Sequence, residues 1–206
     1  MRAPSLYELF SATGNLTLSP ETSVSSELGI ERGFGAWTLT ATAFLIGVDD
    51  LIGFDGASTV CGSGYGCYAQ VPGNTTTSGV ELKANYALSN HINSFGTYAY
   101  TDTETANGGR LPRVPRHQLS LGASGELDDR WSFSVAGIGA ADTEVSAYAP
   151  YPLKNYFAVN ASVGYEVSDG IETYVRIDNL LDTQYQTSPG FGTSDRALYL
   201  GLRSRF

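Results

Sequence analysis

Tyr156-Phe-Ala-Val-Asn-Ala-Ser-Val-Gly-Tyr-Glu-Val167 is the stretch whose reading decides the fold. Phe157, Val159, Ala161, Val163, Tyr165 and Val167 alternate with Ala158, Asn160, Ser162, Gly164 and Glu166. In an extended backbone successive side chains point to opposite faces, so this segment presents one apolar face and one small or polar face. Ile171 to Asn179 repeats the pattern, with Ile171, Val175 and Ile177 against Glu172, Tyr174, Arg176 and Asp178. Leu119, Leu121, Ala123 and Leu127 alternate in the same way with Gln118, Ser120, Ser124 and Glu126. Applied along the whole chain, the test predicts nine strands, at about 22–32, 37–49, 78–89, 92–102, 117–127, 131–141, 156–167, 171–179 and 197–206.

The connections alternate in length. Short turns fall at Gly33-Phe34-Gly35-Ala36, Ser89-Asn90-His91, Asp128-Asp129-Arg130 and Ser168-Asp169-Gly170, and long loops at 50–77, 103–116, 142–155 and 180–196. An antiparallel up-and-down sheet with tight turns at one end and long loops at the other is the layout of a bacterial outer-membrane β-barrel, with short periplasmic turns and long extracellular loops. A soluble sandwich also alternates, but it has no reason to sort its turns and loops to opposite ends. Trp37 and Trp131 follow short turns, where an aromatic belt meets the periplasmic interface, and Tyr98, Tyr100, Tyr156 and Phe157 are expected to form the outer girdle. The last strand turns Leu198, Leu200, Leu202 and Phe206 outward, and Tyr199, Arg203 and Arg205 into a polar lumen where cations stay solvated.

Composition agrees. The 206 residues carry 12 Lys and Arg against 21 Asp and Glu, a net charge of −9, which excludes a nucleic-acid binder that relies on clustered cations. Charged residues make up 16% of the chain, against roughly 25% in soluble domains. Lys occurs only at Lys83 and Lys154 and Met only at Met1, a poor supply for amphipathic helices. No apolar run reaches the length of a transmembrane helix, and the first residues lack a secretory signal, so either the chain stays inside or its true start lies upstream.

Nine antiparallel strands cannot close, because the first and last would run parallel at the seam, and an open edge in a bilayer leaves backbone groups without partners. The expectation is a partial barrel in which 1–21 is an extracellular loop and 22–206 are nine strands.

Residues 1–31 carry a resemblance. Arg2-Ala-Pro-Ser-Leu-Tyr-Glu-Leu-Phe10, Gly14-Asn-Leu-Thr-Leu-Ser-Pro-Glu21 and Glu27-Leu-Gly29 resemble a segment of TonB-dependent outer-membrane receptors. Gly79-Val-Glu-Leu82, Ile177-Asp-Asn-Leu-Leu-Asp-Thr-Gln-Tyr185 and the terminal Phe206 look like further elements of that family, in the family's order. The family encloses a plug in a barrel of about 22 strands and imports an outer-face ligand with energy passed from the TonB complex. The resemblance implies that this chain is its last nine strands, with plug and signal peptide absent, so that the TonB complex is reached only through the missing plug. Within the family, Tyr185 to Gly201, with Gly190-Phe-Gly-Thr193 before Arg196, looks most like cobalamin-transporter-type receptors, and siderophore receptors share much of it. Other implied partners are membrane lipid and lipopolysaccharide and the barrel assembly machinery. That machinery reads the last strand through Leu198, Leu200, Leu202 and Phe206, although Ser204 stands where an aromatic residue is usual.

No catalytic constellation, cofactor motif or metal site is found. His91 and His117 lack partners at ligand spacing. Asp49-Asp50 and Asp128-Asp129 read as turn chemistry, and Gly62-Ser-Gly-Tyr-Gly66 lacks the ending of a phosphate loop. Arg110, Arg113 and Arg116 either contact anionic groups such as lipopolysaccharide phosphates or pair with acidic loops. Cys61 and Cys67 are spaced to close a small disulfide loop, which implies an oxidising compartment, or else remain two reduced loop thiols. Candidate ligand contacts are the long-loop aromatics Tyr65, Tyr68, Tyr148, Tyr151, Tyr185 and Phe191, read alternatively as girdle or loop packing. Besides the receptor fragment, the readings are a small structural barrel completed by oligomerisation and an outer-membrane enzyme, the latter disfavoured by the lack of a Ser/His/Asp constellation.

Overall fold

The structure, a computed structural model, describes residues 1–146 and 149–205. A short helix α1 (Leu6–Phe10) precedes β1 (Thr22–Phe34), β2 (Trp37–Asp49), β3 (Ile52–Asp55), β4 (Cys67–Gln70), β5 (Asn74–Ala87), β6 (Ile92–Glu104) and β7 (Pro115–Glu126). There follow β8 (Trp131–Ser146), β9 (Ala149–Leu153), β10 (Tyr156–Ser168), β11 (Ile171–Asp178), β12 (Gln186–Ser188), β13 (Phe191–Gly192) and β14 (Ala197–Ser204). The sheet order is β1-β2-β5-β6-β7-β8-β10-β11-β14, with β9 beside β8, while β3–β4 and β12–β13 are separate hairpins. The nine strands of the main path are the nine the sequence predicts, and the small hairpins occupy the long loops. Two strands run further than expected on the loop side, β5 starting at Asn74 and β8 reaching Ser146.

The chain divides into two compact units. One comprises Met1–Glu27, Phe44–Ser78 and Asp102–Leu111, the other Leu28–Ala43, Gly79–Thr101 and Pro112–Phe206.

In the second unit the antiparallel registers sort the side chains as the alternation requires. Ala161 faces Ile177 and Val163 faces Val175 across β10–β11, and Val175 faces Leu200 and Ile177 faces Leu198 across β11–β14, giving one continuous apolar face. The opposite face pairs Ser162 with Arg176, Glu172 with Arg203 and Arg176 with Tyr199. There Arg203 Nη1 donates to Glu172 Oε2 at 2.7 Å, and the Arg176 guanidinium lies 4.4 Å over the Tyr199 ring. The apolar face carries large exposed side chains. Leu198, Leu200 and Leu202 are 64%, 76% and 66% exposed, whereas Ala140 and Ala158 of the polar face are buried. A sheet that bares its leucines matches a wall bounded by lipid. One expectation is corrected. Phe157 pairs with Gly139 on the apolar face, but Tyr156 pairs with Ala140 on the polar one, because neighbours in a strand cannot share a face.

Three aromatic residues lie directly across from glycines: Phe95 from Gly122, Phe157 from Gly139 and Tyr174 from Gly201. A Cβ on Gly122 would come within 2.8 Å of the Phe95 ring and one on Gly139 within 3.0 Å of the Phe157 ring, and one on Gly201 would strike the Tyr174 ring. The glycine leaves the space that the ring fills, compensating for its weak strand propensity. At the tight turn before β8, the Asp128 carboxylate accepts the N–H groups of Arg130 and Trp131, both at 2.8 Å, which is the turn role expected of it. Phe206 lies outside the described residues.

Candidate functional site

The first unit is organised by the Arg2-Ala-Pro-Ser-Leu-Tyr-Glu8 segment. Ser5 caps α1: the Glu8 N–H donates to Ser5 Oγ at 3.2 Å, and the Ser5 N–H donates to Glu8 Oε2 at 2.6 Å. Arg2 then bridges two carboxylates. Its Nε and Nη2 donate to Glu21 at 2.7 and 2.8 Å, and its Nη1 to Glu8 at 3.1 Å, while the Arg2 and Glu21 backbones exchange two hydrogen bonds of 2.9 Å. Glu21 is buried and also accepts the Ile52 N–H at 2.7 Å, joining β3 to the same network. The hydrogen bonds from Arg2 and the Ser5 backbone hold Glu8 down at about 2. The bond from Arg2 likewise lowers Glu21 against the opposing effect of its burial, and the two carboxylates raise Arg2.

Gly14 follows where no side chain fits, since a Cβ there would lie 2.6 Å from the Leu9 carbonyl. Buried Asn15 donates from Nδ2 to the Tyr68 carbonyl at 3.0 Å, and its Oδ1 accepts from the Thr17 N–H and hydroxyl at 2.9 and 2.7 Å. These residues are a scaffold that fixes the β3–β4 hairpin. The S-x-x-E spacing of a capping box at Ser5 and Glu8 is the signal that would have exposed it in the sequence.

The hairpin tip is closed by a Cys61–Cys67 disulfide with Cα atoms 5.9 Å apart. Tyr65, within the closed loop, is 88% exposed. Tyr68 instead sits between Tyr7 and Phe54, edge to face, with ring centroids 6.0 and 5.6 Å away. The two predicted tyrosines of this loop therefore divide: Tyr65 is presented to solvent and Tyr68 supports the hairpin.

In the second unit, Asn179 anchors the 180–196 loop. In the left-handed conformation (φ 52°), it donates to the carbonyls of Thr183 and Ser194 at 3.0 and 3.2 Å and accepts the Thr183 N–H at 2.9 Å. Tyr185 stacks on Tyr156 with centroids 4.0 Å apart, and Phe191, in β13, is 72% exposed. Tyr151 lies in β9, and Tyr148 lies outside the described residues. In the basic cluster, Arg116 pairs with Asp142 at 3.0 Å and the Arg113 backbone N–H donates to the Glu144 backbone carbonyl at 2.8 Å, both partners lying at the end of β8. His117 bonds through Nδ1 with the Tyr98 hydroxyl at 2.8 Å, beside the Tyr100 ring. Among the described residues no group of three or more His, Cys, Asp or Glu side chains is placed to hold a metal ion. What the loops offer chemically is exposed ring area on fixed supports, suited to stacking on a ligand.

Comparison with known proteins gives a consistent result. The family profile described as "TonB dependent receptor-like, beta-barrel" matches residues 1–180. The vitamin B12 transporter BtuB of Vibrio cholerae is 29% identical over all of this chain and 33% of its own length. The ferrichrome outer membrane transporter/phage receptor of Escherichia coli K12 is 33% identical over 56% of this chain and 17% of its own. The chain thus spans about a third of the length of the curated relatives that match it throughout. Among solved structures, the copper transporter OprC superposes with a TM-score of 0.79 at 17% identity, over 98% of this chain and 36% of that one. The ferripyoverdine receptor of Pseudomonas aeruginosa superposes with a TM-score of 0.76 at 18% identity, over 99% and 29%.

Proposed function

We propose, from the premise that this chain belongs to the TonB-dependent receptor β-barrel family of the Gram-negative outer membrane, that it forms the carboxy-terminal wall and ligand-facing loops of a receptor for active uptake of a cobalamin- or siderophore-like ligand. The observation that carries the reading is the match of the family profile over residues 1–180, across strands and loops alike. In this reading 1–21 is an extracellular loop, and the disulfide-closed hairpin presents Tyr65 to incoming ligand while Phe191 does so from the β12–β13 hairpin. The polar wall of Glu172, Arg176, Tyr199 and Arg203 faces the lumen through which the ligand passes. Binding and passage involve no covalent chemistry by the chain, in keeping with a family of transporters and receptors.

The test is uptake of radiolabelled cyanocobalamin and of iron-loaded siderophores by cells that carry this protein as their sole receptor, with and without a working TonB complex. Saturable uptake that disappears without TonB is expected. Uptake of neither class, with the protein present in the outer membrane, would overturn the ligand assignment.

The sheet path ends at β1 and β14, each with one edge unpaired among the described residues, and this favours a second reading, a barrel completed by further copies. The mass of the detergent-solubilised species separates the two: a defined homo-oligomer supports completion by copies, and a single barrel chain supports the receptor.

A further inference from the structure

The apolar face of β1, β2, β5, β6 and β7 is not smooth. A groove of about 530 Å³ runs across it, walled by Ile30, Leu39, Leu82 and Leu121, with Gly96 contributing to its floor and Arg32 at its border. A Cβ built on Gly96 would meet no atom within 4 Å, so the floor is open space. Every residue lining the groove lies within about seven positions of the short-turn end of its strand. At about 3.3 Å per residue and a tilt of about 45°, that depth is about 16 Å, half of the roughly 30 Å hydrocarbon core.

Two cations line this groove: Lys83, whose ammonium pairs with Glu81 at 3.6 Å, and Arg32, two residues before the end of β1, for which no ion pair is found among the described residues. Its guanidinium stands where the hydrocarbon gives way to headgroups. It calls for an anion there, and a phosphate matches its planar fork of donors better than water does.

We propose that this groove holds a glycerophospholipid of the periplasmic leaflet, one acyl chain lying between the leucines over Gly96 and the phosphate resting on Arg32. The proposal rests on the outer-membrane reading of the chain. Charge complementarity selects the occupant: an apolar trough with a cation at its turn-side border fits one amphiphile with a phosphate head, and its depth places it in the leaflet made of phospholipid. A bound lipid would fill the trough that the small floor leaves in the wall and neutralise Arg32.

The experiment uses the protein purified from outer membranes in mild detergent, with native mass spectrometry of retained lipid and identification of what is extracted. Gly96→Leu fills the floor, Arg32→Gln removes the charge, and Val163→Leu alters the apolar face of β10 outside the groove. Wild type and Val163→Leu are expected to retain a phospholipid, and Gly96→Leu and Arg32→Gln to retain about fivefold less. Equal retention in all four proteins, no retained phospholipid, or lipopolysaccharide in its place would overturn the proposal while leaving the outer-membrane reading standing. A protein absent from the outer-membrane fraction would sink both. If Gly96→Leu fails to assemble, seen as loss of heat-modifiable migration on gels, Arg32→Gln decides alone.

Discussion

From β7 to β14 neighbouring strands are joined by repeated backbone pairs and by side chains that need only alternate, whereas residues 1–21 and the β3–β4 hairpin depend on particular atoms. In the sheet, Val175 could be any apolar residue and still face Leu200. In the scaffold, Arg2 must reach two carboxylates, Gly14 must lack a side chain, and Asn15 must both donate and accept. The wall is specified by a pattern and so tolerates change. The loop scaffold is specified by individuals, and its sequence is therefore the part that can be read as a motif.

Four experiments would break or sharpen this contrast. The largest effect is expected where the wall does depend on one residue: Gly201→Val drives a side chain into the Tyr174 ring and should cost about 3 kcal/mol in denaturant unfolding in detergent micelles. Val175→Leu beside it should cost under about 1.5 kcal/mol. Next, replacing both cysteines by serine releases the loop between Cys61 and Cys67 and should destabilise the hairpin by about 2 kcal/mol. Hydrogen exchange should then rise across 52–70 while the amides of β10 and β11 keep their protection.

Third, Arg2→Ala should loosen the same region by about 1–2 kcal/mol, the lower range reflecting that half of Arg2 is solvated. Acid should act similarly. Glu8 and Glu21 have folded values below the ordinary 4.5, so their stabilisation is complete above that pH and is lost as the pH falls below it, for Glu8 as it approaches about 2. Limited proteolysis of the 1–21 segment should accelerate across that window, and a rate constant with pH would refute the ion network's role. The smallest structural effect is expected for Tyr65→Ala, under about 0.5 kcal/mol, since its ring touches mainly solvent. If it meets ligand, affinity should fall about fivefold with stability unchanged.

Alternation carried most of the fold on its own. β2 occupies 37–49 and β10 begins at Tyr156 as read from the sequence, because each has one face committed to an apolar surrounding. Where strands leave that surrounding the pattern fades: Asn74 to Thr77 and Asp142 to Ser146 are largely polar and small on both faces, and their strand structure was invisible. The β3–β4 and β12–β13 hairpins, with strands of two to four residues, are too short for periodicity to register. Among the candidate contacts, the aromatic character of Tyr65, Tyr68, Tyr185 and Phe191 was plain, but which rings would be presented and which packed depends on neighbours as remote as Tyr7 and Tyr156. The Arg2 network joins residues 19 positions apart and has no local signature beyond its cap.

The aromatic–glycine pairs have a consequence for how the wall finds its alignment. Alternation forbids a slip of one residue, which would turn the apolar face to the lumen, but it is blind to a slip of two. After such a slip along β11–β14, Tyr174 would face Tyr199 or Arg203 instead of the gap at Gly201. Phe95 would likewise face Ser120 or Ser124 instead of the gap at Gly122, whereas Phe157 would meet a second glycine, Gly137, after a slip in one direction. The Tyr174–Gly201 and Phe95–Gly122 pairs work as detents, so that strands free to slide during assembly click into one position out of the many that hydrophobicity alone would accept.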